Sequence, residues 1–307
     1  DHWTIEDAGA ATWGNGNGGT VGEITIANSL IGENPFDQVC SGDVYALTNG
    51  NYVVSSPEWD NGAIEDAGAA TWGNGASGIK GVITPENSLV SLHAHDYISS
   101  GVLLSLTNGN YVVASRSWDN GSLSSAGAVT WGNGNGGTTG PVTAENSLVG
   151  GSQNDGIGSW KLLALTNGNY VVTSHDWHNG VIDNAGAVTW GNGSGGTTGV
   201  VSAENSLVGS TTDDRVGFIV HDSFGPIALA NGNYVVPSPE WAYDNQPHTG
   251  AATWGDGASG VSGTISATNS LIGNSRYNEV GYTVHSLSSG DYVVFSPNWM
   301  NSNLAYV

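Results

Sequence analysis

The segment Gly-Ala-Ala/Val-Thr-Trp-Gly-Asn/Asp-Gly occurs five times, placing Trp13, Trp72, Trp131, Trp190 and Trp254 at spacings of 59, 59, 59 and 64 residues. Self-similarity at a fixed period marks a repeat architecture and outranks every local signal in the chain. Asn-Ser-Leu follows in step from Asn28, Asn87, Asn146, Asn205 and Asn269. A Tyr-Val-Val segment then supplies Tyr52, Tyr111, Tyr170, Tyr234 and Tyr292, and a further tryptophan closes each unit at Trp59, Trp118, Trp177, Trp241 and Trp299. The one change in length is five extra residues in the fourth unit, between Gly217 and Leu229.

Within a unit, runs of Val, Ile, Leu, Thr, Tyr and Trp bounded by Gly, Asn and Ser predict four short strands and no helix. In the first complete unit these are Val44-Leu47, Tyr52-Ser56, Ala69-Trp72 and Val82-Val90. Asn49-Gly50 between the first two suits a primed hairpin turn. A four-stranded antiparallel meander repeated five times predicts an all-β, five-bladed β-propeller. Tight hairpins join antiparallel neighbours, which counts against a parallel β-helix. The expectation is one domain over residues 1–307, its ring closed by a mixed blade of N-terminal and C-terminal strand pairs that removes two open sheet edges.

Charge narrows the function. Against 27 Asp+Glu stand only 5 Lys+Arg, a formal net charge of -22, too few cations to neutralise the phosphates that nucleic-acid binding requires. Nucleic acid and anionic membranes are therefore poor partners. No apolar run of about 18 residues predicts membrane insertion, and no signal-peptide pattern opens the chain, which reads as already processed or cut from something longer. A single cysteine, Cys40, excludes an internal disulfide.

The series Leu-Thr-Asn-Gly-Asn-Tyr-Val-Val-x-Ser-x-x-Trp, Ala-Gly-Ala-Val-Thr-Trp-Gly-Asn-Gly and Glu-Asn-Ser-Leu-Val-Gly resembles glycine-rich repeats of large secreted bacterial proteins, including filamentous-haemagglutinin-like adhesins. The resemblance covers nearly the whole chain. It implies an extracellular or cell-surface setting and supplies no catalytic residues.

Two repeated positions suggest sites. The Trp13 series, on an Ala/Val-Thr alternation, is expected to pack between blades. The second tryptophans stand beside polar residues as Trp59-Asp60-Asn61, Trp118-Asp119-Asn120, Trp177-His178-Asn179, Trp241 with Asp244 and Asn245, and Trp299 with Asn301. An indole beside a carboxylate or amide suits a sugar, whose apolar face stacks while its hydroxyls are hydrogen-bonded. The competing reading packs the indole under its loop and uses Asp or Asn in a local turn. Asp37, Asp96, Asp155, Asp214 and Asn278 precede the first strands, and around a channel mouth they could hold calcium. Alternatively each ties its loop to the neighbouring blade through backbone N–H groups. His93-x-His95 and His175-x-x-His178 lack a third ligand and read as loop histidines.

The functional expectation is a carbohydrate-binding, lectin-like or adhesion propeller with shallow repeated sites for glycans or cell-surface polysaccharide. A structural or self-associating module of a larger surface protein is the alternative. A glycan-active hydrolase is a third reading, disfavoured because the inner strands Val102-Leu106, Lys161-Leu165 and Ile227-Leu229 carry no carboxylate pair.

Overall fold

The computed structural model describes residues 5–218 and 225–300, and among these every regular element is a β-strand. The strand Tyr52–Ser56 is flanked antiparallel by Asp43–Ala46 and Ala69–Gly73, and Ser88–Val90 pairs the far side of Ala69–Gly73. The same meander recurs through Tyr111–Ser115, Tyr170–Ser174 and Tyr234–Ser238. The hairpin turn differs from the expected primed type. Leu47 and Gly50 close it, with the Gly50 amide donating to Leu47 O at 3.0 Å and Gly50 at φ 88°. Asn49 keeps a negative φ, so this is a type I turn with a left-handed glycine.

The fourth strand also departs from expectation. Gly81–Val82 and Ser88–Val90 are separate. Asn87 divides them: its Oδ1 accepts from the Thr84 amide at 2.9 Å and its Nδ2 donates to Val82 O at 2.8 Å. This side-chain turn satisfies the backbone locally in place of a ladder. The freed pair Gly81–Val82 then adds in parallel to Ser29–Ile31 of the preceding repeat. Gly140–Pro141 adds likewise to Ser88–Val90, and Gly199–Val200 to Ser147–Val149. Adjacent repeats thus share sheets of up to five strands.

A second parallel contact, Gly68 with Ile98, requires glycine. Gly68 has φ +76°, and a Cβ there would stand 2.2 Å from the Ile98 amide nitrogen. Gly9, Gly127, Gly186 and Gly250 make the corresponding approaches.

The chain divides into two compact lobes, Asp1–Ser159 with Asn192–Val200, and Trp160–Gly191 with Val201–Val307. In the first, strand alternation sends Val53 forward into a core with Tyr111, Val113 and Trp118, and Val54 backward onto Leu30 and Val39. Both faces of Tyr52–Ser56 are thereby buried, which explains its nearly continuous apolar run. The second lobe repeats the scheme around Val171, Leu207, Tyr234 and Trp241.

The expected closing blade is not formed by the described strands. Ala10–Thr12 lies in a sheet with Ser29–Ile31 and Gly81–Val82, whereas Thr283–Ser286 and Tyr292–Phe295 form a sheet of two. Their faces are correspondingly open: Val293 is 52% exposed where Val53 is fully buried. The described strands establish an all-β array of repeats.

Candidate functional site

The repeated polar residues are used at joints. Gly134 O accepts from Asn49 Nδ2 and Asn51 Nδ2 at 2.8 Å and from Trp72 Nε1 at 2.9 Å, all one repeat earlier. Asn108, Asn110 and Trp131 converge on Gly193 O in the same way, and Asn167, Asn169 and Trp190 on Gly257 O. Trp72, Trp131 and Trp190, and Trp13 through Gly75 O, thus donate at their edge to the next repeat, whereas Trp254 is 44% exposed.

The second tryptophans of four repeats lie inside. Trp59, Trp118, Trp177 and Trp241 are between 2% and 5% exposed, so their indole faces are closed to a sugar. Trp299, the last of this series, is half-exposed. Their polar neighbours are occupied as well. Asp60 Oδ1 accepts from the Asp66 amide and Asp119 Oδ1 from the Ser125 amide, each at 2.8 Å. Partial burial raises the Asp60 pKa. Asn61, Asn120 and Asn179 donate through Nδ2 to Ser91 O, Gly150 O and Gly209 O. His178 stands 3.7 Å from Asp183. In the fourth repeat the register differs from the sequence alignment. Tyr243 bridges Gln246 as Asn61 bridges Ile64, which makes Ala242 and Tyr243 the counterparts of Asp60 and Asn61. Asp244 and Asn245 are exposed turn residues with φ of 50° and 60°. Asn301 lies outside the described residues.

Asp37, Asp96, Asp155, Asp214 and Asn278 are all fully buried and tie loops. Asp37 accepts from the Glu33, Asn34 and Asp60 amides, and Asp214 from those of Ser210, Thr211 and Ala242. Asp155 accepts from the Gly151 and Ser152 amides, and Asn278 from those of Asn274 and Ser275. Asp96 accepts from the Asp119 amide and pairs with Ser91. Burial raises its pKa to about 6. The lone pairs a calcium ion would need are engaged, and among the described residues no three His, Cys, Asp or Glu converge as a metal site.

One place breaks the repeat. Trp160 occupies the position of Gly42 and Gly101, His175 that of Pro57 and Arg116, and Phe218 that of Ser41, Ser100 and Ser159. These three departures meet in the second lobe. The rings of Trp160 and His175 lie 4.8 Å apart at 67°, His175 and Phe218 5.1 Å apart, and Trp160 and Phe218 6.2 Å apart. Arg215 Cζ stands 5.6 Å over the Phe218 ring and its guanidinium reaches Asp213 at 3.5 Å and Glu240 at 3.9 Å. Trp160 is half-exposed, while His175 is only 8% exposed.

The polar atoms there are incompletely paired. Thr173 Oγ1, His175 Nδ1 and Arg215 Nε are buried without a hydrogen-bond partner. Asp176 Oδ1 lies 3.2 Å from His175 Nε2 and favours the proton on that nitrogen, so Nδ1 presents its lone pair. Burial lowers the His175 pKa, Asp176 and Arg215 acting in opposite directions, and the ring is neutral at pH 7. Burial likewise raises the Glu240 pKa, with Arg215 opposing. His175 is a buried residue of the turn that follows the strand Tyr170–Ser174. The sequence did hold a signal: Trp160 belongs to neither five-membered tryptophan series.

Residues 1–41, 46–100, 105–159, 164–218, 228–282 and 286–307 match a family described as a repeat of unknown function (DUF5650). The match bears on the repeat and does not extend to haemagglutinin-like adhesins. No curated protein matches the chain.

Proposed function

The chain belongs to the DUF5650 family of repeats of unknown function, and from that premise we propose that it is a structural repeat module that holds unit-specific loops on an otherwise uniform scaffold. The observation carrying this reading is the joint itself. Three N–H groups of one repeat meet one glycine carbonyl of the next, with distances of 2.8 to 2.9 Å at each of three successive joints. Residues used identically at these three joints serve nearest-neighbour stacking, the energetic principle of repeat proteins. The buried second tryptophans and loop-tying aspartates fit the same role.

The setting is extracellular or cell-surface in this proposal, as the resemblance to secreted glycine-rich repeats suggests. An adhesion protein needs such spacers to present binding loops. The five-bladed ring is the finer architectural alternative, and the two are separable by experiment. Deleting residues 46–104, one whole 59-residue period, keeps every remaining joint in register. The modular scaffold is expected to retain its far-ultraviolet circular dichroism and a cooperative unfolding transition. A chain that no longer folds after this deletion rejects modular stacking and favours a ring with a fixed number of blades.

A further inference from the structure

The three aromatic departures from the repeat are separated by 15 and 43 residues in sequence, yet they form one cluster beside three unpartnered buried polar atoms. Simple packing accounts poorly for this combination. A buried polar group without a partner costs about 1–3 kcal/mol, and three such atoms, Thr173 Oγ1, His175 Nδ1 and Arg215 Nε, belong to this one lobe. Trp160 also leaves half its surface in solvent, where an indole next to polar groups can serve as a platform.

We propose that Trp160, His175, Phe218 and Arg215 form a binding site for an uncharged carbohydrate. The indole of Trp160 takes the apolar face of a pyranose ring. His175 Nδ1 accepts a hydrogen bond from one hydroxyl, and Arg215 Nε–H donates to another. Thr173 Oγ1, which can do either, completes the polar side. The charge pattern selects against ionic ligands of negative sign, because Asp213 and Glu240 flank the one guanidinium and Asp176 adds a carboxylate beside His175. This inference goes beyond the scaffold proposal: the site sits on loops that depart from the repeat, and losing it leaves the joints unchanged.

The test uses the full chain with methyl glycosides of glucose, galactose, mannose and N-acetylglucosamine, with glucuronate and choline as charged probes, followed by saturation-transfer NMR and calorimetry. At least one neutral glycoside should bind, and Trp160→Ala should weaken it by at least about tenfold, equivalent to ~1.4 kcal/mol. His175→Phe keeps the ring volume and removes the acceptor. It should weaken binding without lowering the melting temperature, which separates recognition from misfolding. Lys80→Ala, remote from these groups in sequence, should bind as the unsubstituted chain does. The inference is overturned if no neutral glycoside binds up to about 10 mM, above the ~1 mM regime of a single weak site. It is equally overturned if only glucuronate or choline binds, or if both site variants retain full affinity.

Discussion

Trp177 and Trp160 lie in the same lobe, yet one is 4% exposed and the other 50%. Trp177 lies in the turn after a strand whose copies are all followed by tryptophan, and its carbonyl accepts from Gly186 at 3.0 Å as Trp59 does from Gly68. Trp160 stands where two other repeats have glycine, and its ring contacts His175 and Phe218, which are equally out of pattern. The contrast teaches that recurrence in this chain signals a joint. Departure from recurrence marks where a side chain is released from that duty.

The sharpest way to break this comparison is to truncate one tryptophan of each kind. Trp118→Ala should cost about 3–5 kcal/mol in urea unfolding, as large-to-small changes in cores do, whereas Trp160→Ala should change stability by less than about 1 kcal/mol. Equal losses would dissolve the distinction. Neighbouring acids offer the same contrast at smaller scale. Asp214→Ala strands the Ser210, Thr211 and Ala242 amides and should destabilise by about 3 kcal/mol. Asp213→Ala, at the exposed rim of the Trp160 cluster, should stay within about 0.5 kcal/mol.

A pH series sharpens the role of the buried acids. The Asp96 carboxyl, raised by burial to about 6 in the folded chain from an ordinary 3.8, holds its proton more tightly when folded. Its contribution to stability is therefore present below about pH 4 and is lost as pH rises through 6. Relative to Asp96→Asn, the unsubstituted chain should gain on the order of 2 kcal/mol between pH 7.5 and pH 4. Asn278, which accepts the same loop amides in the fifth repeat, indicates that asparagine is tolerated there. The smallest expected effect is that of calcium. Because the lone pairs of Asp37, Asp155 and Asp214 are already engaged, adding calcium or a chelator should leave the melting temperature unchanged. A rise of several degrees would restore these acids as ligands.

Much of the local structure was legible because its causes are local. Tyr52–Ser56 was read to the residue, since a β-branched run between Gly-Asn and Ser-Pro has little alternative. The fourth strand looks continuous in sequence because Val82 and Val90 frame it, while the turn formed by the Asn87 side chain depends on a hydrogen bond that no periodicity shows. The second tryptophans presented the harder problem. An indole beside Asp-Asn has the same sequence whether it faces a sugar or a core, and only the neighbouring repeat decides which.

The sequence by itself determined the repeat, its period, the all-β character and the scarcity of cations, because these follow from composition and side-chain alternation along one strand. The tertiary structure alone decided that Trp59, Trp118, Trp177 and Trp241 are covered, that the buried aspartates tie loops, and that Trp160, His175 and Phe218 converge. Burial and convergence are properties of how one repeat is laid on the next. They depend on contacts between residues far apart in the chain, which no local pattern encodes.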